Sequence, residues 1–179
     1  MEIETERKFL VLDDGYKAQA VESHRIRQGY IAHDMGRSVR VRILDDRGFL
    51  TIKGPFIGVG SRPEWEKEIS LQEAEDLFLI CKPGSIDKTR WIVPAQMPGQ
   101  AGHDDEIRPD YSVMADSDRP SRFFEVDEFY GENEGLVMAE IELKSQDEAF
   151  GRPSWLGDEV TGDPRYYNGY LARNPFKSW

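Results

Sequence analysis

Glu4-Thr5-Glu6-Arg7-Lys8 runs directly into Phe9-Leu10-Val11 near the start of the chain, and this stretch decides the fold. Successive side chains of a β-strand point to opposite faces, so residues two apart share a face. Glu4, Glu6 and Lys8 therefore project together, while Phe9 and Val11 project the other way. Taken alone, this pattern is typical of an edge strand whose charged face lies in water.

The same alternation recurs along the chain. Charged side chains two residues apart, set against apolar neighbours, occur in Ser38–Ile43, Arg62–Glu68, Ile86–Trp91, Phe124–Asp127 and Ala139–Leu143, and Leu50–Lys53 sets Thr51 and Lys53 against Leu50 and Ile52 in the same way. Like charges side by side gain nothing on a solvated face, where they are usually scattered. The repetition therefore predicts an α+β fold, a closed antiparallel β-barrel of about eight strands with a polar, charged lumen and helices packed outside. Closure also removes exposed sheet edges.

Charges of both signs in one lumen indicate a charged ligand. Several Lys and Arg side chains suit a polyphosphate, because they can neutralise and hydrogen-bond its oxygens. Clustered Glu and Asp side chains suit the hard cations Mg²⁺ or Mn²⁺ that accompany polyphosphates.

The pattern Glu4-x-Glu6-x-Lys8 resembles the ExExK signature of the CYTH superfamily, the triphosphate tunnel metalloenzymes. The other charged segments follow in that family's order, so the resemblance covers nearly the whole chain and is strongest to short, stand-alone bacterial members. It implies a phosphohydrolase that depends on Mg²⁺ or Mn²⁺ and cleaves inorganic triphosphate (tripolyphosphate), with some nucleoside triphosphates as further substrates. Water would attack a phosphoryl group held by Lys and Arg side chains in the tunnel.

On this interpretation the charged residues divide into three groups. The substrate-binding cations are Lys8, Arg40, Arg42, Lys53, Arg62, Lys88 and Arg90. The metal ligands are Glu4, Glu6, Asp127, Glu140 and Glu142. The remaining lumen carboxylates, which balance the cations or bind a second ion, are Glu64, Glu66 and Glu125.

The identity of the general base stays open at this stage. A lysine surrounded by cations can have a lowered pKa, which makes Lys88 and Lys53 the two candidates. Direct activation of water by the metal is the alternative to both.

Three other functions fit the same tunnel. A class IV type adenylate cyclase would convert ATP to cyclic AMP and pyrophosphate, and a thiamine triphosphatase would cleave thiamine triphosphate. A non-catalytic polyphosphate- or nucleotide-binding module is the third, but binding an anion does not require five aligned carboxylates.

The composition of the chain limits the kinds of partner that it can bind. The chain has 179 residues, which predicts a single domain over 1–179, and its formal net charge is −11. A surface of this charge repels nucleic acid and anionic membranes, although it still permits a small anionic substrate bound in a cationic lumen.

Cys81 is the one cysteine, so the chain cannot form an intramolecular disulfide. A charged strand at the start and no apolar span predict a cytoplasmic protein. The oligomeric state stays open, with a homodimer among the options.

Other segments of the sequence predict the loops and helices that connect the strands. Residues 94–122 depart from the resemblance, because short relatives have a tight hairpin where this chain has a loop insertion, either a lid or a solvated loop without a role. The capping box Ser70–Glu73 predicts a helix to about Ile80. A second capping box at Ser145–Glu148 predicts a short helix, and a final helix is expected over about Tyr166 to Ala172.

Overall fold

Nine strands and three short helices make up the part of the chain that this computed structural model describes. The described residues are 2–34, 36–57, 61–95, 122–145 and 147–179, with residues 2–4 and 61 described by their backbone alone. The strands are β1 (Glu2–Val11), β2 (Glu22–Asp34), β3 (Arg37–Leu44), β4 (Arg47–Lys53), β5 (Ser61–Ile69), β6 (Ser85–Pro94), β7 (Phe123–Phe129), β8 (Val137–Glu142) and β9 (Leu156–Glu159). The helices are α1 (Gly15–Gln19), α2 (Leu71–Phe78) and α3 (Asn168–Leu171), and 3₁₀ turns cover Gly131–Asn133, Pro164–Tyr166 and Phe176–Ser178.

The strands form one sheet in the order β5-β4-β3-β2-β6-β7-β8-β1-β9, and every pairing within it is antiparallel. The predicted antiparallel sheet is therefore confirmed. The structure differs from the prediction in having nine strands, because Leu156–Glu159 pairs with the second half of β1. The nine strands also form one sheet that is not closed into the predicted eight-stranded barrel. A short pairing of Glu2–Thr5 with the start of β5 links β5 back to β1, and it sets Glu4 opposite Arg62.

Alternation along β3 separates an apolar face from a charged one. Val41 and Ile43 are buried on the face that α2 covers, where they pack with Ala74. The capping box at the start of α2 is present: Glu73 N donates to Ser70 Oγ at 3.2 Å, and Ser70 N donates to the Glu73 carboxylate at 2.8 Å. Because its apolar face packs on the sheet, this short helix is held by tertiary contacts as well as by its cap.

Two further clusters of buried side chains complete the core. One packs Tyr16 of α1 and Trp155 against the apolar faces of β1, β6, β7 and β8; it includes Phe9, Val93, Phe124, Val126, Ala139 and Ile141. The other joins the sheet to α3, with Leu171 packed among Ile86, Phe129, Leu136 and Met138.

Gly84 lets α3 lie close to β6. A Cβ at this position would sit 1.8 Å from the carbonyl oxygen of Ala172, and the residue has a φ of +93°. A side chain there would thus collide with backbone atoms and strain its own backbone. The final helix is shorter than predicted, Asn168–Leu171 instead of about Tyr166 to Ala172, because Pro164–Tyr166 forms a 3₁₀ turn.

The second capping box does not begin a helix in the described residues after Ser145. Glu148 instead pairs with Arg122, at 3.0 Å between Oε1 and Nη2. The central residues of the predicted insertion, 96–121, lie outside the described residues, so its nature stays a prediction. Its two ends adjoin each other, since Ala95 N donates to the carbonyl of Arg122 at 2.9 Å. Within the described ranges, no helix combines the length and the apolar character needed to cross a membrane.

Candidate active site

A cavity of about 1450 Å³ lies against the charged face of the sheet. The predicted site residues that line it are Glu6, Lys8, Arg40, Arg42, Lys53, Arg62, Glu64, Glu66, Arg90, Glu125, Glu140 and Glu142. They come from β1, β3, β4, β5, β6, β7 and β8, so side chains far apart in sequence meet because each strand alternates with the same period. The predicted grouping of these residues on one face therefore agrees with their positions.

Arg40 and Arg42 on β3 share the carboxylate of Glu66 on β5. Arg42 Nη2 lies 2.9 Å from Glu66 Oε1, and Arg40 Nη2 lies 3.4 Å from Oε2. Thr51 Oγ1 also donates to Oε2, at 2.6 Å. Within the described residues, the Nε groups of both arginines are buried and make no hydrogen bond. Burial, together with the neighbouring Arg40, lowers the pKa of Arg42 to about 10. Two guanidinium groups against one carboxylate leave an excess of positive charge and buried donors that lack acceptors.

The adjoining wall holds a second ion pair, between Lys53 on β4 and Glu64 on β5. Lys53 Nζ lies 2.7 Å from Glu64 Oε2. The two residues are cross-strand partners, and Ser38 is the partner of Lys53 on its other side. The register of β3, β4 and β5 thus sets this cation beside the arginine pair.

Lys8 on β1 lies between two carboxylates, one on its own strand and one on β8. Its Nζ is 3.0 Å from Glu6 Oε1 and contacts Glu140 Oε1 on β8. Burial opposes the charge of Lys8, but the attraction of Glu140 and Glu6 outweighs it and raises the pKa of the ammonium. The pKa of Glu140 is lowered, because Lys8 and Arg90 outweigh the effect of its burial.

Arg90 on β6 joins three carboxylates. It donates through Nε and Nη2 to the two oxygens of Asp127, at 2.8 and 2.7 Å. Its Nη2 lies 3.3 Å from Glu140 Oε2, and Nη1 contacts Glu125 Oε2. Burial opposes the charged form of Arg90, but the carboxylates, chiefly Asp127, outweigh that effect and raise its pKa. A bidentate pair of this kind fixes the plane of the guanidinium group.

Lys88 and Asp127 lie beneath the cavity wall and do not line it, unlike the other predicted residues whose side chains the structure describes. Their relative exposures are 1% and 0%, and Lys88 Nζ is 2.5 Å from Asp127 Oδ2. Lys88 Nζ also lies 3.5 Å from Asn168 Oδ1 at the start of α3. Burial lowers the pKa of Lys88 to about 8 against the opposing effect of Asp127, and the charge of Arg90 adds to the lowering. The alternation of side chains along β6 and β7 correctly predicted that both residues point to the charged face of the sheet. It does not predict how deeply a side chain is buried on that face.

The carboxylates have the right donor chemistry for Mg²⁺ or Mn²⁺, which bind oxygen ligands. Glu6 and Glu142 are cross-strand partners, and Glu6 Oε1 is buried without a hydrogen bond of good geometry despite its ion pair with Lys8. Glu4 is described by its backbone alone, so its predicted role as a ligand falls outside the described side chains. The side chains that the structure describes contain no group of three or more His, Cys, Asp or Glu placed together as a metal site.

Several residues that line the cavity were not expected from the sequence. His33 is one of them, and a β-bulge explains it: the register between β2 and β3 shifts between Tyr30 and Ala32. The extra residue exchanges the faces of the residues that follow. Ile26, Gln28 and Tyr30 are buried as one face, whereas Ala32 is exposed.

The loop after β4 and the segment before α3 supply aromatic side chains that the charge pattern could not reveal. Phe56 and Tyr167 both line the cavity, and their ring centroids are 5.2 Å apart. Both lie outside the strands, where no alternation indicates which way a side chain points.

The comparisons with known proteins agree with this geometry. Residues 2–167 match the CYTH domain family. The chain is 42% identical to an inorganic triphosphatase of Acetivibrio thermocellus, over 98% of this chain and 97% of that protein. It is 32% identical to an inorganic triphosphatase of Nitrosomonas europaea, over 94% of this chain and 96% of that protein. A crystal structure of an inorganic triphosphatase, 31% identical, superposes with a TM-score of 0.58 and covers 94% of this chain and 97% of its own. The chain belongs to the CYTH domain family.

Proposed function

We propose that this chain is an inorganic triphosphatase, which hydrolyses tripolyphosphate to phosphate and pyrophosphate in the charged cavity. The observation that carries the proposal is the arginine pair, because the buried Nε groups of Arg40 and Arg42 make no hydrogen bond within the described residues. Guanidinium groups with unmet donors suit phosphate oxygens, which accept several charge-assisted hydrogen bonds at once. The activity named for the two curated relatives supports the same substrate.

The cations of the cavity wall would bind the substrate from several strands. Arg40, Arg42, Lys53 and Arg62 come from β3, β4 and β5, whereas Lys8 and Arg90 come from β1 and β6. A chain of three phosphates that contacts cations from these strands would be neutralised along its length. Lys88 lies below the wall, so its contribution to binding would be mainly through its charge. Phosphoryl transfer depends mostly on this positioning and charge neutralisation.

The carboxylates have two roles in this proposal. They pair with the cations before substrate binds, because buried unpaired charges cost several kcal/mol per ion. Glu6, Glu140 and Glu142, with Glu4, are the ligands proposed for Mg²⁺ or Mn²⁺, and the buried Oε1 of Glu6 supports this. Asp127 is the least accessible member of the predicted set, since its two oxygens already accept three N–H groups. A bound divalent cation would offset substrate charge and lower the pKa of a coordinated water.

We also propose that the eight strands β1 to β8 enclose the cavity as a tunnel. The pairing of Glu2–Thr5 with β5 supports this, because it connects β5, at one end of the sheet order, with β1, which follows β8 near the other end. A cavity walled by strands keeps out part of the bulk water, which strengthens the interaction between fixed cations and phosphate.

In the proposed reaction, the oxygen of water forms a bond to a terminal phosphorus while the bond to the bridging oxygen breaks. Pyrophosphate leaves, and the water proton passes to a base. Lys88 has the lowered pKa but is held by Asp127 below the wall, whereas Lys53 lines the cavity and is paired with Glu64. Either lysine must first lose its proton to act as that base, so both remain candidates.

A panel of substrates tests the proposed function. The protein is incubated with tripolyphosphate, ATP or thiamine triphosphate in the presence of Mg²⁺ or Mn²⁺, and the products are separated. We expect the protein to release phosphate and pyrophosphate from tripolyphosphate. Its kcat/KM for tripolyphosphate should be higher than for ATP or thiamine triphosphate. Cyclic AMP from ATP would instead identify a cyclase, and preference for thiamine triphosphate would identify a thiamine triphosphatase. Binding of tripolyphosphate without turnover of any substrate would indicate a binding module.

A further inference from the structure

Two aromatic rings contact cations at one part of the cavity wall. Phe56 and Tyr167 lie with their ring centroids 5.2 Å apart and their planes tilted by 57°. Phe56 belongs to the loop after β4, and Tyr167 directly precedes α3. Phe56 keeps 39% of its surface exposed.

The rings contact Arg62 and Lys8. The guanidinium carbon of Arg62 is 5.1 Å from the centroid of Phe56 and 6.0 Å from that of Tyr167. Lys8 Nζ is 5.3 Å from the centroid of Tyr167. These distances lie within the range of cation–π attraction, in which the negative face of the ring stabilises a cation. One pair of rings therefore holds two of the predicted substrate-binding cations, one from β5 and one from β1.

Aromatic faces suit this task for a physical reason. A carboxylate that positions an arginine occupies the same N–H donors that a phosphate would use, so the two compete. A ring attracts the cation without accepting a conventional hydrogen bond from its N–H donors. The contact with the ring can therefore persist while those donors bind phosphate oxygens.

We propose that Phe56 and Tyr167 are positioning residues, which hold Arg62 and Lys8 in the arrangement that binds the phosphates of the substrate. This inference rests on the proposed function, because it assigns the two cations to the same triphosphate. The rings themselves take no part in the chemistry. Their loss should weaken binding of substrate and leave the chemical step nearly unchanged.

The test compares loss of each ring with its conservative replacement. Phe56→Leu and Tyr167→Leu remove the ring but keep apolar volume, whereas Phe56→Tyr and Tyr167→Phe keep a ring. Each leucine variant should raise KM for tripolyphosphate about three- to tenfold, with kcat changed less than about twofold, and the ring-keeping variants should stay close to wild type. Tripolyphosphate should also raise the melting temperature of the leucine variants less than that of wild type at the same concentration.

Tyr130→Leu is the matched control. Tyr130 stacks on Arg25, with the guanidinium carbon 4.3 Å from its ring centroid, and neither residue lines the cavity. Loss of this ring should therefore leave KM unchanged. A second control is the Arg62→Ala background, in which Phe56→Leu should add little further effect if the ring acts through Arg62.

Each outcome of the test has a distinct meaning. Wild-type protein that neither binds nor cleaves tripolyphosphate would overturn the proposed function itself. Wild-type turnover with leucine variants of unchanged KM and unchanged ligand-induced melting shift would overturn the positioning role alone. A rise in KM for ATP but not for tripolyphosphate would also overturn it, because the rings would then contact a nucleobase.

Discussion

The ammonium group of Lys88 lies 2.5 Å from Oδ2 of Asp127, in a pair that is buried below the cavity wall. Arg90 shares the same carboxylate and reaches the wall, where it also contacts Glu125 and Glu140. Asp127 thus pairs with one cation that lines the cavity and with another that does not. Its carboxylate offsets the charge of both.

Asp127→Asn should destabilise the protein strongly, because it leaves two buried cations without their shared carboxylate. Loss of one partner of a buried pair typically costs about 3–5 kcal/mol. Urea denaturation, read as the free energy of unfolding, measures the effect. Asp163→Asn is the control, since Asp163 pairs with the exposed Arg165 at 2.6 Å and its loss should cost about 0–1 kcal/mol. Similar small losses in both variants would show that the Asp127 pair is not buried as described.

Turnover should require a divalent cation, because the proposed ligands are all carboxylates. EDTA should abolish hydrolysis of tripolyphosphate, and Mg²⁺ or Mn²⁺ should restore it. Glu142→Gln should lose most activity while keeping the melting temperature of wild type, since Glu142 is exposed at the cavity. Glu132→Gln, which changes an exposed carboxylate outside the cavity, should keep full activity. Undiminished turnover in chelator would contradict the metal assignment.

His24 should make stability depend on pH. Its Nδ1 lies 2.7 Å from Asp45 Oδ2 and its Nε2 lies 3.1 Å from Glu22 Oε2, and the hydrogen bond to Asp45 is the main cause of its raised pKa. A histidine whose pKa is higher in the folded state than in the unfolded state stabilises the folded state when it is protonated. This stabilisation is fully present below the unfolded pKa of about 6.5, and it disappears as the pH rises through the folded pKa.

The measurement for His24 is the free energy of unfolding of wild type minus that of His24→Gln. This difference should be larger at about pH 5.5 than at about pH 8.5. Because the group is partly exposed, added salt should reduce the difference at the lower pH. An equal difference at both pH values would show that His24 carries no such charge interaction.

Replacement of the insertion should be tolerated. Pro94 and Phe123 are cross-strand partners and Ala95 bonds to Arg122, so a short glycine-containing turn can connect the two strands directly. Loop length has a small entropic effect on stability, so the melting temperature and kcat/KM of the shortened protein should stay close to wild type. A large rise in KM for tripolyphosphate would instead identify the insertion as a lid over the cavity.

Alternation predicted which side chains face the cavity, because a strand has a fixed period of two residues. Arg40 and Arg42 line the cavity while Val41 is buried on the other face, as the sequence indicated. The period holds only while the register is regular. The bulge between Tyr30 and Ala32 shifts the register of β2, and His33 therefore lines the cavity while Ala32 does not.

The same pattern could not predict how deeply a side chain is buried, which loop side chains face the cavity, or where a short strand pairs. Asp127 alternates like Glu125 but is fully buried, since burial depends on what packs over a residue and not on its face. Phe56 and Tyr167 lie in segments without a period. The four residues of β9 are too short a run to stand out from the tail.

Arg40 and Arg42 are proposed to bind triphosphate within the cavity, and the double variant Arg40→Ala/Arg42→Ala tests this role most directly. Thermal melts are recorded with and without tripolyphosphate and Mg²⁺, beside the control Arg25→Ala/Arg47→Ala, which removes exposed arginines paired with Asp87 and Glu68. A ligand at about 100 times its Kd stabilises the folded state by about 2.7 kcal/mol, which appears as a raised melting temperature. Wild type and the control should show this shift and cleave tripolyphosphate, whereas the cavity variant should do neither. The same ligand-induced shift in the cavity variant as in wild type would contradict the account.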